Sequence, residues 1–158
     1  MENIYGTDWD ATEDHPGYEW NRIRLGRRLD GEMLGTSVYV LGAGQRSFPY
    51  HFHHSNEEML IVLEGEVTVR TPFGEQRAGR GDTTIFRRGP TGAHQIINHS
   101  ASQARVMMIS TMVEPEIAEY PDTGKIGVFA GRAPGAAGEA ILWKFLDGSA
   151  ELDYFEGE

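Results

Sequence analysis

Polar and apolar positions alternate in short runs along most of this chain. Tyr18 to Leu25 (YEWNRIRL) alternates, with Trp20 or its neighbours expected on one face and Arg22 and Arg24 on the other, which predicts a first strand. After Asp30-Gly31 the run MLGTSVYVL, rich in β-branched and aromatic residues, predicts a second strand at 33–41 that ends at Gly42-Ala43-Gly44. Further short strands are predicted at 50–54, 58–63, 66–71, 75–78, 83–87, 94–98 and 104–112. Glycine-bearing turns separate most of them, at Gly65, Gly74, Gly79-Arg80-Gly81 and Gly89 to Gly92. No window before residue 113 sustains a helical period with caps. The expected fold class is therefore all-β. Frequent alternation in short runs favours a single jelly-roll or double-stranded β-helix barrel over an open sheet, because closure protects the edges.

The two ends read differently. Residues 1–17 are polar and acidic and finish at the turn signal His15-Pro16-Gly17, which predicts an arm outside the core, with His15 as a solvated loop residue. The barrel is expected over 18–112 and a C-terminal extension over 113–158. Within the extension, 114–127 has the prolines and glycines of an ordered loop, and 131–138 is a small-residue linker. Ile141, Leu142, Trp143, Phe145, Leu146, Tyr154 and Phe155 then return apolar bulk, too much for an unpacked tail. A strand or short helix laid on the barrel or on a second subunit is expected, and with it a homodimer.

Length and charge narrow the classes. A chain of 158 residues suits one domain. The balance of 14 Lys+Arg against 24 Asp+Glu leaves −10 at neutral pH, which repels nucleic acid and anionic membranes. With no cysteine there is neither a disulfide nor a thiolate ligand. The acidic start lacks a signal-peptide pattern, and the longest apolar run, Met59 to Leu63, falls far short of the ~20 residues of a membrane span. A cytoplasmic protein with a small-molecule ligand is expected, without nucleic-acid or membrane partners.

The chemistry gathers between Gly44 and Asn98. Strand alternation puts His51 and His53 on one face and Phe52 and His54 on the other. After a short turn, Glu58 begins the next strand with Leu60 and Val62 as same-face companions, and His94 begins HQIIN on a distant strand. If the first two strands are neighbours, these imidazoles and the carboxylate converge. Such donors suit Fe(II), Mn(II), Ni(II), Zn(II) or Cu(II) and disfavour all-oxygen magnesium or calcium sites.

The spacing resembles the cupin superfamily. His51-Phe52-His53, four residues, Glu58, six residues and Gly65 satisfy the first cupin motif, with Gly44 one position off its leading glycine. In the second motif, Gly81 is followed after five residues by Arg87-Arg88-Gly89, and His94 after three residues by Asn98. Arg87 stands where the family has proline, and the Gly89 to His94 turn is two residues longer. The resemblance is specific in these motifs and looser over 20–112, and the segments ARVMMIST, YPDTGKIGVF and DYFEGE look like those of a group of small bacterial single-domain cupins. The resemblance implies His51, His53, Glu58 and His94 as ligands of one divalent transition metal (Fe, Mn, Ni or Zn), with positions left open for water, dioxygen or substrate. Glu57 competes for the carboxylate role, although the distance to Gly65 favours Glu58. The lengthened turn is expected to border the open face of the metal.

Around these residues, Tyr39, Gln45, Phe48, Tyr50, Leu60, Val62, Phe86 and Ile96 are candidate pocket residues, several of which ordinary core packing would also explain. Arg46, Arg70 and Arg105 are candidates for an anionic group. His54 is expected outside the ligand set, His99 in a turn, and Asn98 in a backbone hydrogen bond. The resemblance implies a metal-dependent small-molecule enzyme of oxygenase, isomerase or decarboxylase type, or alternatively a non-catalytic metal-dependent binding or sensor module, since fold alone does not choose a reaction.

Overall fold

The computed structural model describes residues 1–136 and 138–157. Ala137 and Glu158, which belong to the expected linker 131–138 and extension 113–158, lie outside the described residues. The chain forms the expected all-β barrel from β1 (Ala11–Glu13), β2 (Trp20–Ile23), β3 (Leu34–Leu41), β4 (Phe52–His53), β5 (Glu58–Glu64), β6 (Glu66–Thr71), β7 (Gly74–Gly79), β8 (Thr83–Phe86), β9 (Gln95–Ile97), β10 (Ala104–Thr111), β11 (Glu116–Tyr120), β12 (Lys125–Ala130) and β13 (Leu142–Asp147). Helical turns occur at Leu25–Arg28 and, as a 3-10 turn, at Pro90–Gly92. No helix among the described residues is long and apolar enough to cross a membrane.

Antiparallel pairing gives a six-stranded sheet in the order β1-β2-β3-β10-β5-β8, a three-stranded sheet β7-β6-β9 and a four-stranded sheet β13-β12-β11-β4. A bridge between His51 and His94 joins the two smaller sheets: His51 N donates to His94 O at 3.2 Å, and His94 N to His51 O at 2.8 Å. The main core lies between the six-stranded and three-stranded sheets, with Tyr39, Leu41, Leu60, Val62 and Val106 meeting Val67, Val69 and Ile96. Each such side chain contributes about 1.5–3 kcal/mol by leaving water.

Strand β3 is buried on both faces. Tyr39 and Leu41 enter the main core, whereas Val38 packs with Ile23, Leu25 and Leu63 on the outer side of the sheet. The N-terminal segment covers that outer side, which departs from the expected free arm. Ile4 and Trp9 pack against this second cluster, β1 pairs with β2, and the buried Arg105 donates to Ile4 O and Gly6 O at 3.0 and 3.2 Å. Isolated apolar residues in an acidic context gave no periodic signal. The faces of β2 also need correcting: a period of two puts Arg22 on the same side as Trp20. Trp20 packs edge-on against Tyr39, and Arg22 lies over the same Tyr39 ring.

A second correction concerns 114–127, expected as a loop. It contains β11, the turn Pro121–Gly124 and the start of β12, and β13 adds to the hairpin as a third strand. Pro121 and Gly124 form the turn, where Thr123 N and Gly124 N both donate to Tyr120 O and Gly124 takes a φ of 68°, while Pro115 precedes β11 and Gly127 lies within β12. Ala118 and Phe129 point inward, so the alternation was present beneath the prolines.

Asn98 performs the expected backbone bonding. Its Nδ2 donates to Leu41 O, Gly42 O and Ser102 O at 2.8–3.1 Å, and its Oδ1 accepts from Ser100 N and Oγ. It fastens the end of β3 to the β9–β10 connection. Gly92 is fixed by space: a β-carbon there would overlap the Arg87 carbonyl.

Candidate metal centre

The bridge and the β4–β11 pairing hold the histidines. Period two along 51–54 turns His51 and His53 inward and leaves His54 outside, where its Nε2 lies 2.7 Å from Glu119 Oε1. Glu58 opens β5, between Phe86 of β8 and Ser110 of β10. His51 Nε2 and His53 Nε2 are 3.1 Å apart, His53 Nε2 and Glu58 Oε2 3.3 Å, and His94 Nε2 and Glu58 Oε2 3.1 Å. His51, His53 and Glu58 present donor atoms within 4.8 Å of one another. His94 joins them through Glu58 and is itself only 1% exposed. Glu57 is exposed and takes no part.

The donor set fits a divalent ion. With metal–nitrogen distances of about 2.0–2.1 Å, neighbouring ligands stand about 3.0 Å apart at right angles and about 3.4 Å apart in a tetrahedron, which brackets all three spacings. The tautomers agree with this. His51 Nδ1 is 2.8 Å from Pro49 O and His94 Nδ1 3.0 Å from Gly92 O, so each ring donates its Nδ1 proton to a carbonyl and leaves a lone pair on Nε2. His94 Nε2 is buried near Glu58 and has no hydrogen-bond partner among the described residues. The Phe86 ring, stacked at 3.8 Å, fixes the His94 plane.

Protons occupy the cluster when no metal does. Burial pushes His51 down to about 3, helped by His94 and His53. Burial would also lower His53, but the Glu58 and Glu116 carboxylates overcome it and raise the ring to about 10. Glu58 is held well below its ordinary value: burial opposes ionisation, and the adjacent His53 charge outweighs it. Two opposite slopes follow for the metal-free protein. Between about pH 3 and 6.5 the unfolded chain protonates His51 and the folded one does not, so stability rises with pH. Between about pH 6.5 and 10 the folded chain keeps the His53 proton that the unfolded one loses, so stability falls. Denaturation of metal-free protein across pH should show a maximum near 6.5, and a curve still rising at pH 9 would contradict this charge arrangement.

Glu116, on β11, escaped the sequence reading because it stands between prolines in a segment taken for a loop. It is fully buried, with Oε2 3.7 Å from His53 Nδ1 and Oε1 accepting from His54 N and Ser55 N at 3.1 and 3.3 Å. Asn56 Nδ2 also donates to it. The site therefore has a carboxylate behind His53 as well as one beside it, an arrangement that orients a ligating imidazole.

A cavity of about 320 Å³ opens beside His51, His53 and Glu58, within the usual range for small-molecule pockets. Of the candidate pocket residues, Tyr39 and Phe48 line it. Gln45, Tyr50, Leu60, Phe86 and Ile96 do not. Leu60, Val62, Phe86 and Ile96 fill the main core. Tyr50 packs with Phe52 and Ala93 under the Arg70 guanidinium, and Gln45 accepts from Glu19 N on another side. The Gly89 to His94 turn also lies off the cavity, tied by Gly89 N to His53 O at 2.7 Å. The remaining wall comes from the C-terminal hairpin through Tyr120, Phe129, Trp143 and Phe145. None of the expected anion-binding arginines reaches the cavity. Arg46 lies over Tyr18, Arg70 is paired with Asp122 at 2.6 Å, and Arg105 pairs with Glu64 and the N-terminal segment.

A model described as "Cupin domain" matches residues 37–110. In fold, the chain is similar to a candidate sugar phosphate isomerase from Acidithiobacillus ferrooxidans, with a TM-score of 0.73, 23% identity and coverage of 87% of this chain and 82% of that one. It is similar also to a sugar phosphate isomerase from a cupin superfamily of Silicibacter pomeroyi, with a TM-score of 0.72, 23% identity and coverage of 83% and 78%. The polyketide cyclase RemF of Streptomyces resistomycificus shares the fold more distantly, with a TM-score of 0.57, 22% identity and coverage of 70% and 79%. No curated relative matches the sequence.

Proposed function

Residues 37–110 being a cupin domain, we propose that the chain is a metal-dependent enzyme acting on a small polar, carbonyl-bearing molecule, with His51, His53, Glu58 and His94 as the ligands. The carrying observation is the buried Nε2 of His94, aimed beside Glu58 with no hydrogen bond to satisfy it. A bound divalent ion would polarise a carbonyl or stabilise an enediolate. The protein's own groups do the rest. Burial pushes the Tyr39 and Tyr120 phenols up to about 12, so both stay neutral and can donate a hydrogen bond to a substrate oxygen. Tyr120 also stacks on His51 at 5.8 Å. Phe48, Phe129, Trp143 and Phe145 exclude water from the histidine side of the cavity. The isomerases that share its fold support this substrate class.

A second reading, a non-catalytic binding or sensor module, draws on one observation. Among the described residues lining the cavity, the imidazoles and carboxylates that could serve as a general base are His51, His53 and Glu58, all of them assigned to the metal. Elemental analysis after loading with Mn(II), Fe(II), Ni(II) or Zn(II), followed by turnover assays on sugar phosphates, diketones and keto acids, separates the readings. One metal per chain with turnover is expected. Bound metal without turnover selects the binding module, and absence of metal under every loading condition sinks both.

The homodimer belongs to the same proposal. Exposed Leu146, Leu152, Tyr154 and Phe155 on and after β13 support it. Light scattering should return twice the 17.6 kDa chain mass; the monomer mass at micromolar concentration would remove the dimer.

A further inference from the structure

The cavity has a second chemical face. Arg22, Arg24, Arg27 and Arg132 all line it, together with the histidine cluster. Of the eight arginines elsewhere in the chain, four stand beside carboxylates, Arg28 with Asp10 and Glu2, Arg70 with Asp122, Arg77 with Glu66 and Arg105 with Glu64, and among the described residues Arg46, Arg80, Arg87 and Arg88 do not. Among the described residues, the guanidinium groups of the four cavity arginines have no carboxylate within 4.0 Å, although the Arg24 backbone N donates to Asp10 Oδ2, and Glu58 is the only acid on the cavity wall. What sets the cavity apart is the grouping: four like charges border one space in a protein of net charge −10, where they repel one another.

Two of the four are held in place. Arg22 donates through Nε and Nη2 to Ser37 Oγ at 3.0 and 2.9 Å and lies 5.0 Å over the Tyr39 ring. Gly135 approaches so closely that a β-carbon there would stand 3.2 Å from Arg22 Nη2. Arg132 lies 4.9 Å over the Trp143 ring, and its buried Nε has no hydrogen-bond partner among the described residues. Arg24 is half-buried, and burial followed by repulsion from Arg22 and Arg27 draws it below its ordinary value. An anion among these groups would relieve that repulsion and supply the acceptor that Arg132 Nε lacks.

Building on the metal-centred reading, we infer that the Arg22, Arg24 and Arg132 wall is an oxyanion subsite, so that the substrate carries a phosphate or carboxylate group at one end and its reacting oxygen at the histidine end. One molecule can span both, because both faces bound the same space of about 320 Å³.

Calorimetric titration of the full-length protein with inorganic phosphate and, separately, with malonate tests this, using metal-free and Mn(II)-loaded samples. Metal-free protein should bind one equivalent of at least one probe. The preferred probe tells phosphate from carboxylate. The Arg24→Gln/Arg132→Gln double variant should bind it about tenfold more weakly or worse, since charge-assisted bonds are lost at each position. Arg46→Gln, outside the cavity, should bind as the parent does. If the Arg132 variant does not fold, Arg24→Gln and Arg27→Gln carry the same expectation.

Unchanged affinity in folded variants, or no binding of either probe to the parent, overturns the subsite. Metal content measured on the same samples keeps the two readings apart. Parent protein that takes up metal but neither anion refutes the subsite and leaves the metal centre standing. Anion binding that depends on the arginines without any metal uptake does the reverse.

Discussion

Glu58→Ala should abolish stoichiometric metal binding, with a fall in affinity beyond the ~10–100-fold that follows loss of an outer partner alone. Glu58 joins two of the three histidines: its Oε2 is 3.3 Å from His53 Nε2 and 3.1 Å from His94 Nε2. Without it, three neutral imidazoles face a dication with no compensating charge, and the His94 and His53 rings lose the carboxylate oxygen that lies between them. Glu57→Ala should leave affinity unchanged, because that side chain is exposed. Competition against a chromophoric chelator measures both variants. Metal retained by Glu58→Ala at parental affinity would rule out the four-ligand centre.

Glu116→Leu should lower the stability of the metal-free protein by about 3–5 kcal/mol, the usual cost of removing one partner from a buried charge pair. In a chain of this length that shifts thermal unfolding by roughly 6–20 °C. Glu116 is 0% exposed, and its loss strands the His53 charge, the Asn56 amide and the backbone N–H groups of His54 and Ser55 together. Glu116→Gln separates packing from charge. It keeps the shape and one acceptor, so most stability should return while metal affinity still falls about 10–100-fold. Scanning calorimetry with the same chelator assay reads both. Equal effects of Leu and Gln on stability would show that charge, and not packing, is what this position supplies.

The parts of the centre legible in the sequence are those governed by strand parity. His51, His53 and the exclusion of His54 follow from a period of two, and the choice of Glu58 over Glu57 from the spacing to Gly65. Glu116 was out of reach because its role depends on a long-range pairing, β11 against β4, that no local pattern announces. The same holds for Arg22, whose strand was recognised but whose face was misassigned, and for Arg132, which sits in a segment of glycines and alanines. Phe86 and Ile96 show the converse error. Nearness in sequence to a ligand suggested a pocket, while the inter-sheet core claims both side chains.

The two ends of the chain meet across the cavity. Arg22, Arg24 and Arg27 precede residue 37, while Tyr120, Phe129, Arg132, Trp143 and Phe145 follow residue 110, so most of the cavity-facing charge and aromatic surface lies outside the stretch that holds the histidines and Glu58. Inheritance of the two halves can therefore be uncoupled. Mutations in the flanks can retarget the protein to a new molecule without disturbing the donor atoms, and a chimera carrying the flanks of one such barrel on the centre of another should take its selectivity from the flanks.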